Sequence, residues 1–215
     1  MRNDLPFKKS LLYFSLALFV LELVIYRDFI FGDYYFLYKD LTDDSYTQCY
    51  AELYAKIESL KSGKIPQFDF HTALGQNKYA FSLELVAITI AYLFFKNNVA
   101  ESLIWIQLAY TFLSGIFLFC FFRKSQFHYL PSSIGGVLFA FSGYIVGCST
   151  WYPLGFTNEN MLFALLLLAL RYFLENKKLW LLPLTVAIIG SASKSVGQDI
   201  FDVFSQRIIE FNWLP

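Results

Sequence analysis

The stretch SLIWIQLAYTFLSGIFLFCFF, residues 102–122, decides the fold class of this chain. It runs for 21 residues without a charge, and a helix needs about 20 mostly apolar residues to cross the hydrocarbon core of a bilayer. Other apolar stretches lie on both sides of it, at residues 10–26, 79–95, 129–148, 161–174 and 179–192. We therefore expect an all-α polytopic membrane protein.

The composition agrees with a membrane protein and excludes several other classes. Hydrophobic residues make up 57% of the 215 residues and charged residues 16%, whereas a soluble domain has about 25% charged residues. Seventeen basic and seventeen acidic residues cancel, so the chain lacks the basic field of a nucleic-acid-binding protein. Its three cysteines have no C-x-x-C spacing and predict neither a zinc site nor a disulfide framework.

The number of membrane spans, five or six, depends on residues 79–95, a short apolar stretch that contains Glu84. The distribution of basic residues between the two sides of the membrane distinguishes these two topologies. If this stretch spans the membrane, the basic residues near the helix ends divide five to five between the two sides. If it lies in or dips into the outer leaflet, eight lie inside and only Lys96 and Lys194 outside. The positive-inside rule favours five spans, with the N-terminus in the cytoplasm. The inner set is Arg2, Lys8, Lys9, Arg123, Lys124, Arg171, Lys177 and Lys178.

Two features within the apolar stretches bear on packing and function. Residues 129–148 carry small residues mostly four apart, which predicts a close helix–helix contact in lipid; these are Ser132, Gly136, Ala140, Gly143 and Gly147. Glu22 and Glu84 lie in or beside apolar stretches, where ionisable groups are costly and often functional. Each is also near a segment end, from which its carboxylate could reach the membrane surface.

The first loop, residues 27–78, carries fourteen charges and is expected outside the cell. Aromatic and aliphatic residues recur there at helical spacing from Tyr46 to Leu60, with charged residues between them. This pattern predicts an amphipathic surface helix of about 16 residues. The same topology places the 149–160 connection on the external face, so Trp151, Asn158 and Glu159 are expected near the acidic loop.

Three carboxylates precede the predicted surface helix, at Asp40, Asp43 and Asp44. Asp43 or Asp44 could simply cap that helix, where a carboxylate is favoured. Alternatively, a carboxylate at the boundary between water and lipid could act as a general base toward a hydroxyl acceptor. The three together could also hold a divalent cation through oxygen ligands. The spacing alone leaves these alternatives open.

Several short motifs resemble the YfhO-type bacterial membrane proteins, which belong to the GT-C class of integral-membrane glycosyltransferases. The resemblance covers about residues 5 to 190, that is, the N-terminal part of such a protein. Its motifs are Gly32-Asp33, Asp40-x-x-x-Asp44-Ser45, Gly63-x-Ile65-Pro66, Leu74-Gly75-Gln76-Asn77, Phe141-Ser142-Gly143-Tyr144, Asn158-Glu159-Asn160-Met161 and Asn176-Lys177-Lys178.

The resemblance implies a transferase that moves a sugar from a polyprenyl-phosphate donor to a cell-envelope polymer, on the outer face of the bacterial plasma membrane. Family members use an acidic residue of the first external loop as the base. Asp44 matches that position, and Asp40 is the second matching carboxylate. The residues that we expect around the substrate are Asp43, Tyr46, Gln48, Trp151, Asn158 and Glu159.

The chain is shorter than members of that family and departs from the resemblance near residue 194. We expect residues 1–194 to form the N-terminal part of a GT-C-like transmembrane domain. Residues 195–215 are expected to form an amphipathic tail, which would mark a truncated or frame-shifted gene or else a natural short relative. Two other functions remain open: a membrane transport or lipid-handling protein, and an inactive fragment of the transferase.

Overall fold

The computed structural model describes residues 5–37, 50–61, 68–69, 76–77, 93, 99–151, 154–176 and 180–192. These residues are almost entirely helical, as the all-α prediction requires. Helix α1 spans Phe7–Ile25, a short helix α2 spans Arg27–Ile30, and α3 spans Ala51–Lys61. The described residues between α3 and the helix that begins at Val99 include a small antiparallel pair, β1 (Phe68–Asp69) and β2 (Gln76–Asn77), in which Phe68 pairs with Asn77.

The described residues from 99 onward form five further helices. Helix α4 spans Val99–Lys124, and α5 (Tyr129–Ala140) is followed after two residues by α6 (Gly143–Trp151). Helix α7 spans Gly155–Asn176 and α8 spans Leu181–Ala192. The predicted connection at residues 149–160 is therefore much shorter than expected, since the polar residues before Met161 belong to the first turns of α7.

Helix α4 is the centre of the bundle and packs against α1, α5 and α7, while α8 packs on α7. Its contact with α5 is close because glycines face each other: a Cβ at Gly136 would meet the Gly115 carbonyl oxygen at 3.1 Å and the Phe14 ring at 2.7 Å. Phe14 stacks on Phe119 with 4.4 Å between ring centroids. Three helices thus meet where small side chains leave room for two rings.

Only part of the predicted small-residue seam lies in this contact. Ser132, Gly136 and Ala140 are buried, whereas an added Cβ at Gly143 or Gly147 would meet nothing within 4 Å. The two halves differ because the helix is interrupted at residues 141–142, which changes the direction in which later residues point. The seam prediction is correct for α5 and wrong for α6.

One end of the bundle, which we call the basic end, gathers arginines and lysines. Arg123 at the end of α4 donates to the Leu5 carbonyl at 2.8 Å, so the start of α1 lies there. Arg171 of α7 donates to the Lys124 carbonyl at 3.2 Å. The Lys124 ammonium lies 5.0 Å from the centroid of the Tyr172 ring. Residues that the sequence analysis assigned to one side of a membrane therefore meet at one end of the structure.

The opposite end, which we call the loop end, holds the start of the first loop. Its buried residues belong to one cluster that contains residues of α3, α4 and α7 together with Tyr26 and Phe36. Phe36 packs edge-to-face on Tyr26 and Phe29, with centroid distances of 5.9 and 5.3 Å. Leu53 and Ile57 bury one face of α3 in this cluster, while Tyr54 stays about half exposed. The amphipathic prediction thus agrees with the described part of that helix.

The outward faces of the long helices are apolar, although a soluble bundle would place polar residues there. Leu12, Leu16 and Val20 of α1 are more than half exposed, as are Leu130 and Leu138 of α5. Leu174 of α7 and Val186 of α8 continue this apolar surface. An exposed apolar belt of this kind is typical of a surface that contacts lipid or another protein.

Two helical stretches of the described residues, Val99–Lys124 and Tyr129–Ser149, are long and apolar enough to cross a membrane. That criterion is one of length and composition, which a buried core helix can also meet. Helix α1 carries Lys8, Lys9 and Glu22 within its 19 residues, and the 12 residues of α8 rise only about 18 Å. Residues 79–95, apart from residue 93, and residues 195–215 lie outside the described part.

Candidate functional site inside the helix bundle

The acidic stretch expected to carry the chemistry lies outside the described residues. This applies to Asp40, Asp43, Asp44, Tyr46 and Gln48. The residues on either side of it are described: Leu37 and Tyr50 both pack against the buried cluster of the loop end. The chain therefore enters and leaves this stretch at the end of the bundle opposite the basic residues.

The predicted site residues Asn158 and Glu159 lie in the first turns of α7. Leu154, just before this helix, is buried and has a positive φ of 74°, a conformation that is uncommon for residues other than glycine. Its carbonyl accepts the Asn158 amide at 2.9 Å and so begins the helix. Trp151, a third predicted site residue, is the last residue of α6.

Asn158 and Glu159 are neighbours but have different surroundings. Asn158 is 7% exposed, and its side-chain oxygen has no hydrogen-bond partner among the described residues. Glu159 is partly buried, and desolvation raises the pKa of its carboxyl above the ordinary value. A carboxyl with a raised pKa stays neutral to higher pH, and in that form it can donate a hydrogen bond to a ligand hydroxyl.

Gln107, in the first third of the stretch that decided the fold class, is fully buried and joins α4 to α7. The Thr157 hydroxyl donates to the Gln107 side-chain oxygen at 2.9 Å. The Gln107 side-chain nitrogen has no hydrogen-bond partner in the described part of the chain. Because Gln107 is eight residues into α4, this contact lies about 12 Å below the start of that helix.

Glu22 and Tyr26 extend this buried polar group onto α1. Glu22 is 2% exposed, and its Oε1 has no hydrogen-bond partner among the residues that the structure describes. Tyr26, one turn further on, interacts with Glu22 and, across the helix interface, with Gln107 and Thr111. The Thr111 hydroxyl is itself buried without a partner at hydrogen-bonding geometry in the described residues. We call Glu22, Tyr26, Gln107, Thr111 and Thr157 the polar cluster.

Helical spacing explains why these side chains meet. Glu22 and Tyr26 are four residues apart, as are Gln107 and Thr111, so each pair lies on one face of its helix. The helices α1 and α4 run in opposite directions, because the start of α1 meets the end of α4 at the basic end. The end of α1 therefore faces the first half of α4, and the two polar pairs come together inside the bundle.

A second irregular feature lies where α5 stops and α6 begins. The Asn160 side-chain nitrogen lies 3.4 Å from the Phe139 carbonyl oxygen, and the Ser142 hydroxyl accepts the Ile145 amide at 3.3 Å. These contacts compensate for helical hydrogen bonds lost at residues 141–142, as an interruption inside an apolar environment requires. Asn160 thus supports the break in the candidate span rather than facing outward.

Most residues of the polar cluster are not among the site residues that the sequence predicts. Glu22 was recognised as unusual, but the interpretation that its carboxylate reaches the membrane surface is wrong, because the side chain is buried. Gln107 and Thr111 were counted only as uncharged residues of an apolar helix. Their spacing of four, repeated in Glu22 and Tyr26, is the signal that would have identified them.

The described residues contain no group of three or more histidine, cysteine or acidic side chains that could hold a metal ion. The predicted divalent-cation ligands Asp40, Asp43 and Asp44 lie outside that part of the chain. Searches with the whole sequence and structure find no match among protein-family models, curated proteins or solved structures.

Proposed function

We propose that the chain is a five-span protein of the bacterial plasma membrane, with the basic end in the cytoplasm and the loop end outside. The apolar outward faces and the buried polar cluster support this assignment, because a bilayer favours apolar surface outside and polar groups in the bundle interior. Arg123, Lys124 and Arg171 lie together at one end, in agreement with the positive-inside rule.

On this basis the proposed activity is transfer of a sugar from a polyprenyl-phosphate donor to a cell-envelope polymer. One observation carries the proposal: Leu37 and Tyr50, the described residues on either side of the acidic stretch, both pack at the loop end, where a lipid-linked donor would present its sugar outside the hydrocarbon core. The surface helix α3 lies in the same cluster. A donor held in the bilayer and an acceptor in water can meet only at such a boundary.

In the proposed reaction the Asp44 carboxylate takes the proton of an acceptor hydroxyl. The acceptor oxygen then forms a bond to the anomeric carbon of the sugar. The bond between that carbon and the phosphate oxygen breaks, and polyprenyl phosphate leaves with the electron pair. Asp40 assists as the second carboxylate, and the reaction needs no oxidant or reductant.

The proposed substrate contacts come from both sides of the loop end. Asp43, Tyr46 and Gln48 follow from the resemblance and from their nearness to Asp44 in sequence. On α7, the Glu159 carboxyl would form a hydrogen bond with a sugar hydroxyl, and the unpaired Asn158 oxygen would accept one. Trp151, at the end of α6, would offer an aromatic surface to the sugar ring.

The test is a transfer assay with membranes that contain the full chain and polyprenyl-phosphate glucose labelled in the sugar. We expect Asp44→Asn to reduce transfer to polymer by at least a hundredfold, because a lost general base costs about 10²–10⁴ in rate. Asp28→Asn is the matched control, since Asp28 is exposed and pairs only with neighbouring Arg27 at 3.3 Å among the described residues. Transfer that persists in Asp44→Asn contradicts the base assignment, and its absence in the parent chain favours an inactive fragment.

A second candidate, a transport or lipid-handling protein, is favoured by the interruption at residues 141–142. Interrupted helices with polar groups beside them are common at transport sites, and Asn160 lies at this break. The test is movement of a fluorescent polyprenyl phosphate across liposomes that contain the protein. Under this alternative Asn160→Leu abolishes the movement while Asp44→Asn leaves it unchanged, and the sugar-transfer proposal predicts no such movement.

A further inference from the structure

The polar cluster contains a carboxyl group with no nearby positive charge in the described structure. Glu22 is almost fully buried. On its own helix the nearest described lysine is Lys9, thirteen residues or about 20 Å along the axis. On α4 the basic residues are Arg123 and Lys124, twelve and thirteen residues beyond Thr111. Arg27 is 71% exposed and pairs with Asp28 outside the bundle.

A buried carboxylate of this kind must be neutralised, since an isolated charge in an apolar interior costs far more than a hydrogen bond returns. A single positive charge in contact with it leaves the site neutral overall. A divalent cation would leave an excess positive charge, because Glu22 is the one carboxylate of the polar cluster. Charge balance therefore selects a monovalent ion.

Polar side chains of α1 and α4 meet at the level of this carboxyl group. Tyr26 stands one turn beyond Glu22 on α1 and interacts with Gln107 and Thr111 of α4. The Thr111 oxygen and Glu22 Oε1 are both buried and unpaired within the described chain. A half-turn of the Gln107 amide would let its nitrogen donate to Thr157 and turn its oxygen toward the cluster. Oxygen ligands of this type suit hard cations.

We propose that Glu22, Tyr26, Gln107 and Thr111 form a binding site for a monovalent alkali cation inside the helix bundle. The ion would balance the Glu22 charge and occupy the oxygen atoms that now lack partners. It would also tie α1 to α4 at the level of the Gln107–Thr157 bond. The site depends on neither sugar transfer nor transport, and it is tested by binding alone.

Two other occupants make different predictions. Buried water would pair the same oxygen atoms but would respond to no particular salt. A proton on Glu22 would remove the charge, with no requirement for Thr111 or for an alkali ion. A bound cation is thus identified when the stabilisation of the protein requires a particular alkali ion and also requires both Glu22 and Thr111.

The experiment measures thermal unfolding of the full chain in detergent at fixed pH and ionic strength. Sodium, potassium or lithium chloride replaces choline chloride. We expect at least one alkali ion to raise the midpoint by about 3–6 °C at ten times its Kd, since a ligand that binds only the folded state stabilises it. Glu22→Gln should abolish this shift, and Thr111→Val should weaken the apparent affinity about tenfold.

Glu101→Gln is the matched control, because Glu101 is exposed in the first turn of the same helix, and it should keep the full shift. The proposal is overturned if no alkali ion differs from choline, or if Glu22→Gln keeps the ion-specific shift. Should Glu22→Gln fail to fold, Thr111→Val decides: an unchanged affinity overturns the site, and a weakened one supports it.

Discussion

Thr157, Asn158 and Glu159 are consecutive residues with three different environments. Thr157 bonds to Gln107 inside the bundle, Asn158 is buried with an unpaired oxygen, and Glu159 is only partly covered. A helix turns by about 100° per residue, so neighbours in sequence point to different surroundings. The predicted topology places Asn158 and Glu159 beside the external loop, whereas Thr157 is not a predicted site residue, because only the fold brings it to Gln107.

Glu159 is expected to make the stability of the folded protein depend on pH, and its burial determines the sign of that dependence. Desolvation raises the pKa of its carboxyl in the folded state, so the folded protein holds this proton more tightly than the unfolded chain does. The stability contributed by the neutral form is complete below the ordinary carboxyl pKa and is lost as the pH rises through the raised value. Glu159→Gln stays neutral and should avoid this loss.

Chemical unfolding of the parent and of Glu159→Gln across pH 4 to 8 measures the effect. We expect the stability difference to shift in favour of the variant as the pH rises. A difference that stays constant, or one that shifts toward the parent at high pH, would show that the folded protein does not favour the neutral carboxyl.

At the scale of elements, the clearest feature is that α5 and α6 follow one apolar stretch but form two helices. Hydropathy predicts a single span over residues 129–148, because it records only whether each residue is apolar. At the interruption Asn160 reaches the Phe139 carbonyl from α7, twenty-one residues later in the chain. An interaction between elements this far apart cannot be read from the hydropathy of either one.

The contact between α4 and α5 predicts that two glycines of the same small-residue pattern differ in how much their substitution changes the stability of the protein. Gly136→Ala should destabilise the protein by about 1–3 kcal/mol, the usual cost of adding a group to a packed contact, since the new Cβ would meet Phe14 and the Gly115 carbonyl. Gly147→Ala, in α6, is the control: it has open space and should be neutral or slightly stabilising. Thermal unfolding in detergent measures both, and equal effects would contradict the seam in α5.

At the scale of the whole molecule, sequence and structure agree on which residues share an end. Hydropathy and basic residues predicted that the start of α1 and the end of α4 lie on one side of the membrane, and the Arg123–Leu5 hydrogen bond joins those two ends. The predicted catalytic residues Asp40 and Asp44 lie outside the described residues. The contacts of the interior are less predictable from the sequence. Gln107 and Thr111 are uncharged residues of an apolar helix, and their contacts with α1 arise only when the two helices pack together.

The central claim is a membrane bundle with its basic end in the cytoplasm and its loop end outside. It is tested most directly by cysteine labelling of intact cells, in a variant whose three native cysteines are replaced by serine. Tyr34, 71% exposed near the loop end, and Gln126, in the exposed turn after α4, are each changed to cysteine. We predict that a membrane-impermeant maleimide labels Tyr34→Cys in intact cells and Gln126→Cys only after permeabilisation. Labelling of both in intact cells, or the reverse order, would contradict the claim.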